Sequence, residues 1–244
     1  EEKVLMGVIK EELLEIRDKF GDERKTEIGF DVYDKESKET WKAFISSLKS
    51  RGLTGVKLVT SDAHNGIIYA LSKTFPDVPW QRCQTHFSRN VIEYAPKKYQ
   101  KGIHAGLLDM YHSKTISEAR KKRDALIDEY KDVADKAMEC LDNGFESVMT
   151  VMVLPEAFRR FYRTTNHLER LNRELKRRSN VIGVFPNIPS LIRIMGSVLL
   201  EQNDMYAIQK KITISKKDYD EMIKVSSEKL REIAKEQQRM LAAA

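Results

Sequence analysis

Three groups of residues in this chain have the types and spacing for chemistry. Ser61-Asp62-Ala63-His64 follows directly on the apolar run Val56 to Thr60 (VKLVT). In α/β folds, ligands gather at the carboxyl ends of strands, and a carboxylate there suits a hard cation. An Asp in that place can equally cap the turn that follows it. The second group is Asn166 to Arg178 (NHLERLNRELKRR). At ~100° per residue, Leu168, Leu171 and Leu175 form one apolar stripe. Glu169, Asn172, Arg173 and Lys176 fall on the opposite side, so Glu169 sits on a mostly cationic face suited to phosphate. Asn166 with Glu169 also resembles a helix-capping pair, and Glu169 with Arg173 an ordinary i,i+4 pair. The third group is Cys83-Gln84-Thr85-His86, which could supply half a zinc site. No second paired Cys/His cluster supplies the other half, because Cys140, His104 and His112 are scattered. A buried cysteine and a locally bonded histidine is the better reading of that group.

The elements that must position these groups follow from periodicity. Thr26 to Tyr33 reads as a strand, and Ser37 as the cap of a helix through Lys49 with Trp41, Phe44, Ile45 and Leu48 at helical spacing. A strand over Val56 to Thr60 leads to a helix from about Gly66 to Phe75, ended by Pro76. An extended piece at Trp80 to Cys83 precedes a helix starting near Thr85. This alternation predicts an α/β layer with parallel strands. Residues 97–155 are helical in period. Helices are expected through Arg178, from Pro189 or Ser190 to about Asn203, and as one charged tail from Lys216 to Ala244. Residues 4–20 fit either a strand or an amphipathic helix.

Bulk properties bound the class. The 244 residues are 41% hydrophobic and 33% charged, as for a globular protein with a real core. Two cysteines, Cys83 and Cys140, argue against a disulfide framework and fit a reducing cytoplasm. No apolar run approaches the ~20 residues needed to span a bilayer, so no membrane partner is expected. The formal net charge is +6, and it is unevenly spread. Residues 1–50 carry 10 Lys+Arg against 13 Asp+Glu, whereas residues 153–180 carry 8 against 3. A concentrated cationic segment points to a polyanion, or else to a solvated helix face.

Long motifs then carry a resemblance. SDAHNGIIYALSKTFPDVPWQRCQTHFSRNV, taken with RTTNHLERLNRELKRRSNVIGVFPNIPSLIRIMGSVLLEQND, closely resembles the Mutator-like transposases of insertion sequences. GFDVYDKESKETWKAFISSLKSRGL is similar to the segment that precedes them there, so the resemblance covers about residues 25–204. It implies an RNase H-like α/β catalytic domain with an all-helical insertion and a helical C-terminal tail. Residues 1–96 would be the first part of that core and 97–155 the insertion. Residues 156–204 would be the catalytic and closing helices, and 205–244 the tail. Motif for motif, Asp62 matches the second Asp of a DDE triad and Glu169 its Glu. Both would be catalytic and would bind Mg2+ or Mn2+. Cys83 and His86 match the family's Cys-x-x-His element. Arg170, Asn172, Arg173, Lys176 and Arg177, with His86 and Trp80, would contact nucleic acid.

The family's first Asp lies on an opening strand before the GFDV segment, and residues ahead of Gly21 do not match that region. The expectation is a chain truncated or replaced at its front, its unaided activity depending on that missing acid. The partners implied are transposon ends and target DNA, and a second copy or a full-length transposase. The alternative is an inactive DNA-binding or transposase-pairing fragment. A helical interaction protein with a chance basic face would bind no DNA in a salt-dependent way.

Overall fold

The computed structural model describes residues 3–5, 22–23, 29–33, 35–208, 212–213 and 215–243. In chain order the elements begin with β1 (Lys3–Leu5), β2 (Asp22–Glu23), β3 (Asp31–Tyr33), α1 (Lys38–Ser50) and β4 (Val59–Ser61). Next come α2 (Asn65–Thr74), β5 (Trp80–Arg82), α3 (Gln84–Glu93), α4 (Gln100–Tyr111), α5 (Ile116–Tyr130) and α6 (Asp135–Met149). A 3-10 turn (Thr150–Val153) leads to α7 (Glu156–Tyr162), α8 (Asn166–Ile182) and α9 (Ile188–Ile208). The chain closes with β6 (Ile212–Thr213), α10 (Lys216–Ile223) and α11 (Ser227–Ala243). Among the described residues no helix is long and apolar enough to cross a membrane.

The chain divides into two units. The first takes its described residues from 1–59, 64–79 and 166–244. Here α1 starts at a capping box: Ser37 Oγ accepts from Thr40 N, and Thr40 Oγ1 accepts from Ser37 N. Trp41, Phe44, Ile45 and Leu48 then form the buried stripe, and α1 packs on α2. His64 caps α2, its Nδ1 accepting from Gly66 N at 3.1 Å. Glu36 Oε1 lies 3.6 Å from the same ring nitrogen. A side chain at Gly66 would crowd the Ser37 carbonyl at 3.0 Å, so the glycine permits the approach of the two segments. A second cluster joins Val32 of β3 to Leu171 and Leu175 of α8 and to Leu191, Met195 and Leu199 of α9. Gly183, at φ +76°, ends α8 in the left-handed conformation that glycine adopts without strain.

The second unit comprises residues 60–63 and 80–165. Its core is almost wholly helical: Phe87 and Val91 of α3, Ile103, Leu107 and Met110 of α4, Leu126 of α5, and Leu141, Phe145 and Val148 of α6. Gln81 on β5 is fully buried beside it. Gln81 Nε2 donates to Val148 O at 2.7 Å, and its Oε1 accepts from Val151 N at 2.5 Å. It thereby satisfies a carbonyl that the last turn of α6 leaves open.

Several expectations are corrected. The architecture is helical with small sheets, compatible with an α/β class. The alternation predicted a parallel layer. Among the described residues, β4 and β5 form the parallel pair, with Val59 N donating to Pro79 O and Cys83 N to Ser61 O. β3 instead pairs antiparallel with β1, Val32 facing Val4, and β2 pairs antiparallel with β6. The VKLVT strand is displaced to Val59–Ser61, where pairing to β5 begins. The front part of the expected 26–33 strand, and most of residues 4–20, lie outside the described residues. The tail is broken in two at Lys224 to Ser226, because Ser226 Oγ accepts from Lys229 N and opens a new helix.

Candidate nucleic-acid and metal site

Asp62 stands one residue beyond β4. Around it the second unit is laced by hydrogen bonds from distant parts of the chain. Trp80 Nε1 donates to Ser61 Oγ at 2.8 Å, and Ser61 Oγ donates to the carbonyl of Asp62 at 2.7 Å. Thr60 Oγ1 donates to the carbonyl of Tyr162 at 2.8 Å. Gln84 N donates to the carbonyl of Arg163 at 2.9 Å. The end of β4, the start of α3 and the segment between α7 and α8 are thus tied into one scaffold. The Asp62 side chain is partly exposed, but its Oδ1 is enclosed and makes no hydrogen bond. An enclosed carboxylate oxygen without a donor is suited to a cation.

Cys83 is fully buried at the β5–α3 junction. Its Sγ accepts from both N and Oγ1 of Thr165, each at 3.3 Å. The cysteine therefore acts as an anchor for the residue that precedes α8. Among the described residues no three His, Cys, Asp or Glu side chains converge as a ready-made metal cluster. His86 lies in the first turn of α3, partly buried. Trp80 is partly buried, with its indole N–H committed to Ser61.

In the first unit, α8 turns Leu171 and Leu175 into the core and leaves its other face to solvent. Glu169 is in its first turn and only partly exposed. Arg170, Arg173, Lys176 and Arg177 are exposed and Asn172 is partly so. These cations differ in availability. Arg177 and Arg178 both grip Glu174, at 2.6 Å and 2.8 Å, holding its carboxyl down at about 2. Arg170, Arg173 and Lys176 make no ion pair among the described residues. Asp62 belongs to the second unit and Glu169 to the first.

Sequence reasoning missed Thr165, Gln81 and Arg163. The signal for Thr165 was present only as a possible cap. The other two carry no local pattern at all.

Comparison with known proteins decides the family. The Mutator family of transposases matches residues 20–209. The chain belongs to this family. It is 40% identical over 193 residues to the transposase for insertion sequence element IS256 in transposon Tn4001 of Staphylococcus aureus, covering 78% of this chain and 49% of that protein. It is 36% identical over 177 residues to the transposase for insertion sequence element IS1081 of Mycobacterium tuberculosis, covering 72% of this chain and 43% of that protein. The transposase for ISRM5 of Rhizobium meliloti is 32% identical over 183 residues, covering 75% and 46%. The chain spans about half the length of these transposases.

Proposed function

We propose that this Mutator-family chain is the larger part of the catalytic region of an insertion-sequence transposase. It cleaves DNA with a divalent metal and joins the ends to a target. In this reading the region is RNase H-like, with residues 1–96 as the first part of the core and 97–155 as a helical insertion. Residues 156–204 supply the catalytic and closing helices, and 205–244 the tail. The observation that carries the reading is the Asp62 carboxylate, held at the end of β4 with an enclosed oxygen that no protein donor satisfies.

Asp62 binds a hard cation, Mg2+ or Mn2+, through oxygen. Glu169, in the first turn of α8, would be the second carboxylate ligand, the role its match to the family motif gives it. When bound there, such ions would supply activation of the attacking water or 3′-hydroxyl and stabilisation of the leaving oxygen. Arg170, Arg173, Lys176 and Arg177, with Asn172, hold backbone phosphates and supply salt-dependent affinity. Trp80 and His86 flank a terminal nucleotide. The partners are transposon ends, target DNA and a second transposase chain, and the site of action is the cytoplasm.

The test is nicking of supercoiled plasmid in Mg2+ or Mn2+, comparing the wild-type chain with Asp62→Ala and Glu169→Ala. Loss of nicking in both variants is the expected result. A second reading is a DNA-binding or transposase-pairing fragment that does not cut. Equal residual nicking in all three proteins would select it and remove the enzyme reading.

A further inference from the structure

Arg163 follows the last residue of α7, two positions before the Thr165 anchored to Cys83. Its backbone is fixed on both sides. The carbonyl before it accepts from Thr60, and its own carbonyl accepts from Gln84. Its side chain is only partly exposed, and its Nε is enclosed with no acceptor. No carboxylate lies within ion-pair distance among the described residues. Burial holds its pKa below the ordinary arginine value, opposed by the charge of Glu156.

Of the other enclosed arginines of this unit, Arg159 is fully engaged, whereas Arg82, like Arg163, has an enclosed Nε with no acceptor but stacks on a ring. Arg159 donates to the carbonyls of Leu154, Lys114 and Met152, at 2.8, 2.9 and 3.3 Å. Arg82 lies over the Phe87 ring, 4.7 Å from its centroid. With the Asn90 amide turned to face it, Arg82 also donates to that oxygen at 2.9 Å. Removing a cation from water without a counter-charge costs stability. The guanidinium is a planar fork that matches phosphate, and it stays charged when desolvated. Thr60, which ties down the carbonyl before Arg163, is two residues from Asp62, whose own Oδ1 lacks a donor. One small scaffold thus presents an enclosed carboxylate oxygen and an enclosed guanidinium nitrogen, neither of them hydrogen-bonded.

We infer that Arg163 is an anion-binding residue whose ligand is a phosphate group of the DNA backbone, held beside the cation that Asp62 binds. This rests on the DNA reading above for the source of the phosphate, but the anion site itself does not. Arg163 grips a non-bridging oxygen and so positions the phosphodiester.

The experiment uses the full chain and compares wild type, Arg163→Met and Arg163→Lys. The first probe is inorganic phosphate against chloride at matched ionic strength, read as the rise in thermal midpoint. General salt effects on burial act alike on all three proteins. The second probe is a short DNA duplex, read as the slope of log K against log salt. Phosphate is expected to raise the midpoint of wild type and not of Arg163→Met. The duplex slope should shallow by about 0.9 in Arg163→Met, the loss of one phosphate contact, and be kept by Arg163→Lys. Without ligand, Arg163→Met should unfold at or above the wild-type temperature, since it removes an unpaired buried charge. If Arg163→Met unfolds earlier, Arg163→Lys decides: recovery of the phosphate response supports the site, and no recovery overturns it. An equal phosphate response in wild type and Arg163→Met, or none in wild type, overturns it. Loss of the phosphate response with an unchanged duplex slope keeps the anion site and sinks the DNA reading.

Discussion

Cys83 Sγ receives two hydrogen bonds from Thr165, one from the amide and one from the hydroxyl, both at 3.3 Å. The two residues are 82 positions apart, and Thr165 is the last residue before α8. The Cys-x-x-His element therefore reaches the root of the helix that carries Glu169. A thiol is a weak acceptor, but here it is fully enclosed and no water can replace it. Cys83→Ala should leave two donors unsatisfied and destabilise the fold by about 1–3 kcal/mol. Cys83→Ser, which keeps an acceptor, should cost clearly less. Denaturant unfolding measures both, and amide exchange at residues 165–169 should quicken in the alanine variant. Equal stability of all three proteins would remove the anchoring role.

Gln81 is the second long-range tie. Its amide bridges β5 to the end of α6, donating to Val148 O and accepting from Val151 N, with no exposed surface. Gln81→Leu is nearly isosteric and more apolar, yet it strands the Val151 N–H and weakens the capping of Val148. A loss of about 2–4 kcal/mol is expected, since burying unmade hydrogen bonds outweighs the apolar gain. Gln81→Glu should be at least as harmful, because Val148 O would then face a carboxylate. A leucine variant as stable as wild type would contradict this account.

These ties mark where the sequence stops being legible. Ser37 with Thr40, and Trp41, Phe44, Ile45 and Leu48, announce α1 because caps and stripes are local codes. The Leu171 and Leu175 stripe likewise announces the buried face of α8. The position of Asp62 after a strand was readable too, with the strand displaced toward Ser61. Gln81 was not, since a polar residue in a short strand reads as outward-facing. Its partner lies 70 residues away, and only the folded chain shows that α6 ends there with an open carbonyl. Arg163 is invisible for the same reason. Within a run of cations nothing in its neighbours distinguishes an enclosed arginine from a solvated one. The tail reads as one helix because its charges are periodic throughout, whereas a single serine cap at Ser226 divides it.

Gly144 on α6 lies against the Phe87 ring of α3. A Cβ there would come under 3 Å from two ring atoms of Phe87, which is fully buried. Gly144→Ala should therefore destabilise by about 1–3 kcal/mol despite alanine's better helix propensity, because overpacking outweighs the gain of roughly 1 kcal/mol. Shrinking the ring should relieve it: Gly144→Ala with Phe87→Leu should be less destabilised than the sum of the single changes. Strict additivity in that cycle would show that the two groups do not clash.

The cationic face of α8 should bind DNA unevenly. Arg177 is clamped with Arg178 on Glu174, whereas Arg173 and Lys176 are exposed and make no ion pair among the described residues. A paired guanidinium must give up its carboxylate before it can take a phosphate. Arg173→Gln and Lys176→Gln should each lower the salt slope of duplex binding by about 0.9, and Arg177→Gln by less. The clamp also has a pH signature. Hydrogen bonds from Arg177, then from Arg178, lower the Glu174 carboxyl to about 2, below its unfolded value. Its contribution is thus present above the ordinary glutamate range and lost only as pH falls through about 2. At pH 4, carboxyl NMR should find Glu174 ionised in wild type and partly protonated in an Arg177→Gln, Arg178→Gln double variant. If Glu174 titrates near its ordinary value in wild type, the clamp is absent in solution, and Arg177 should then equal Lys176 in the salt series.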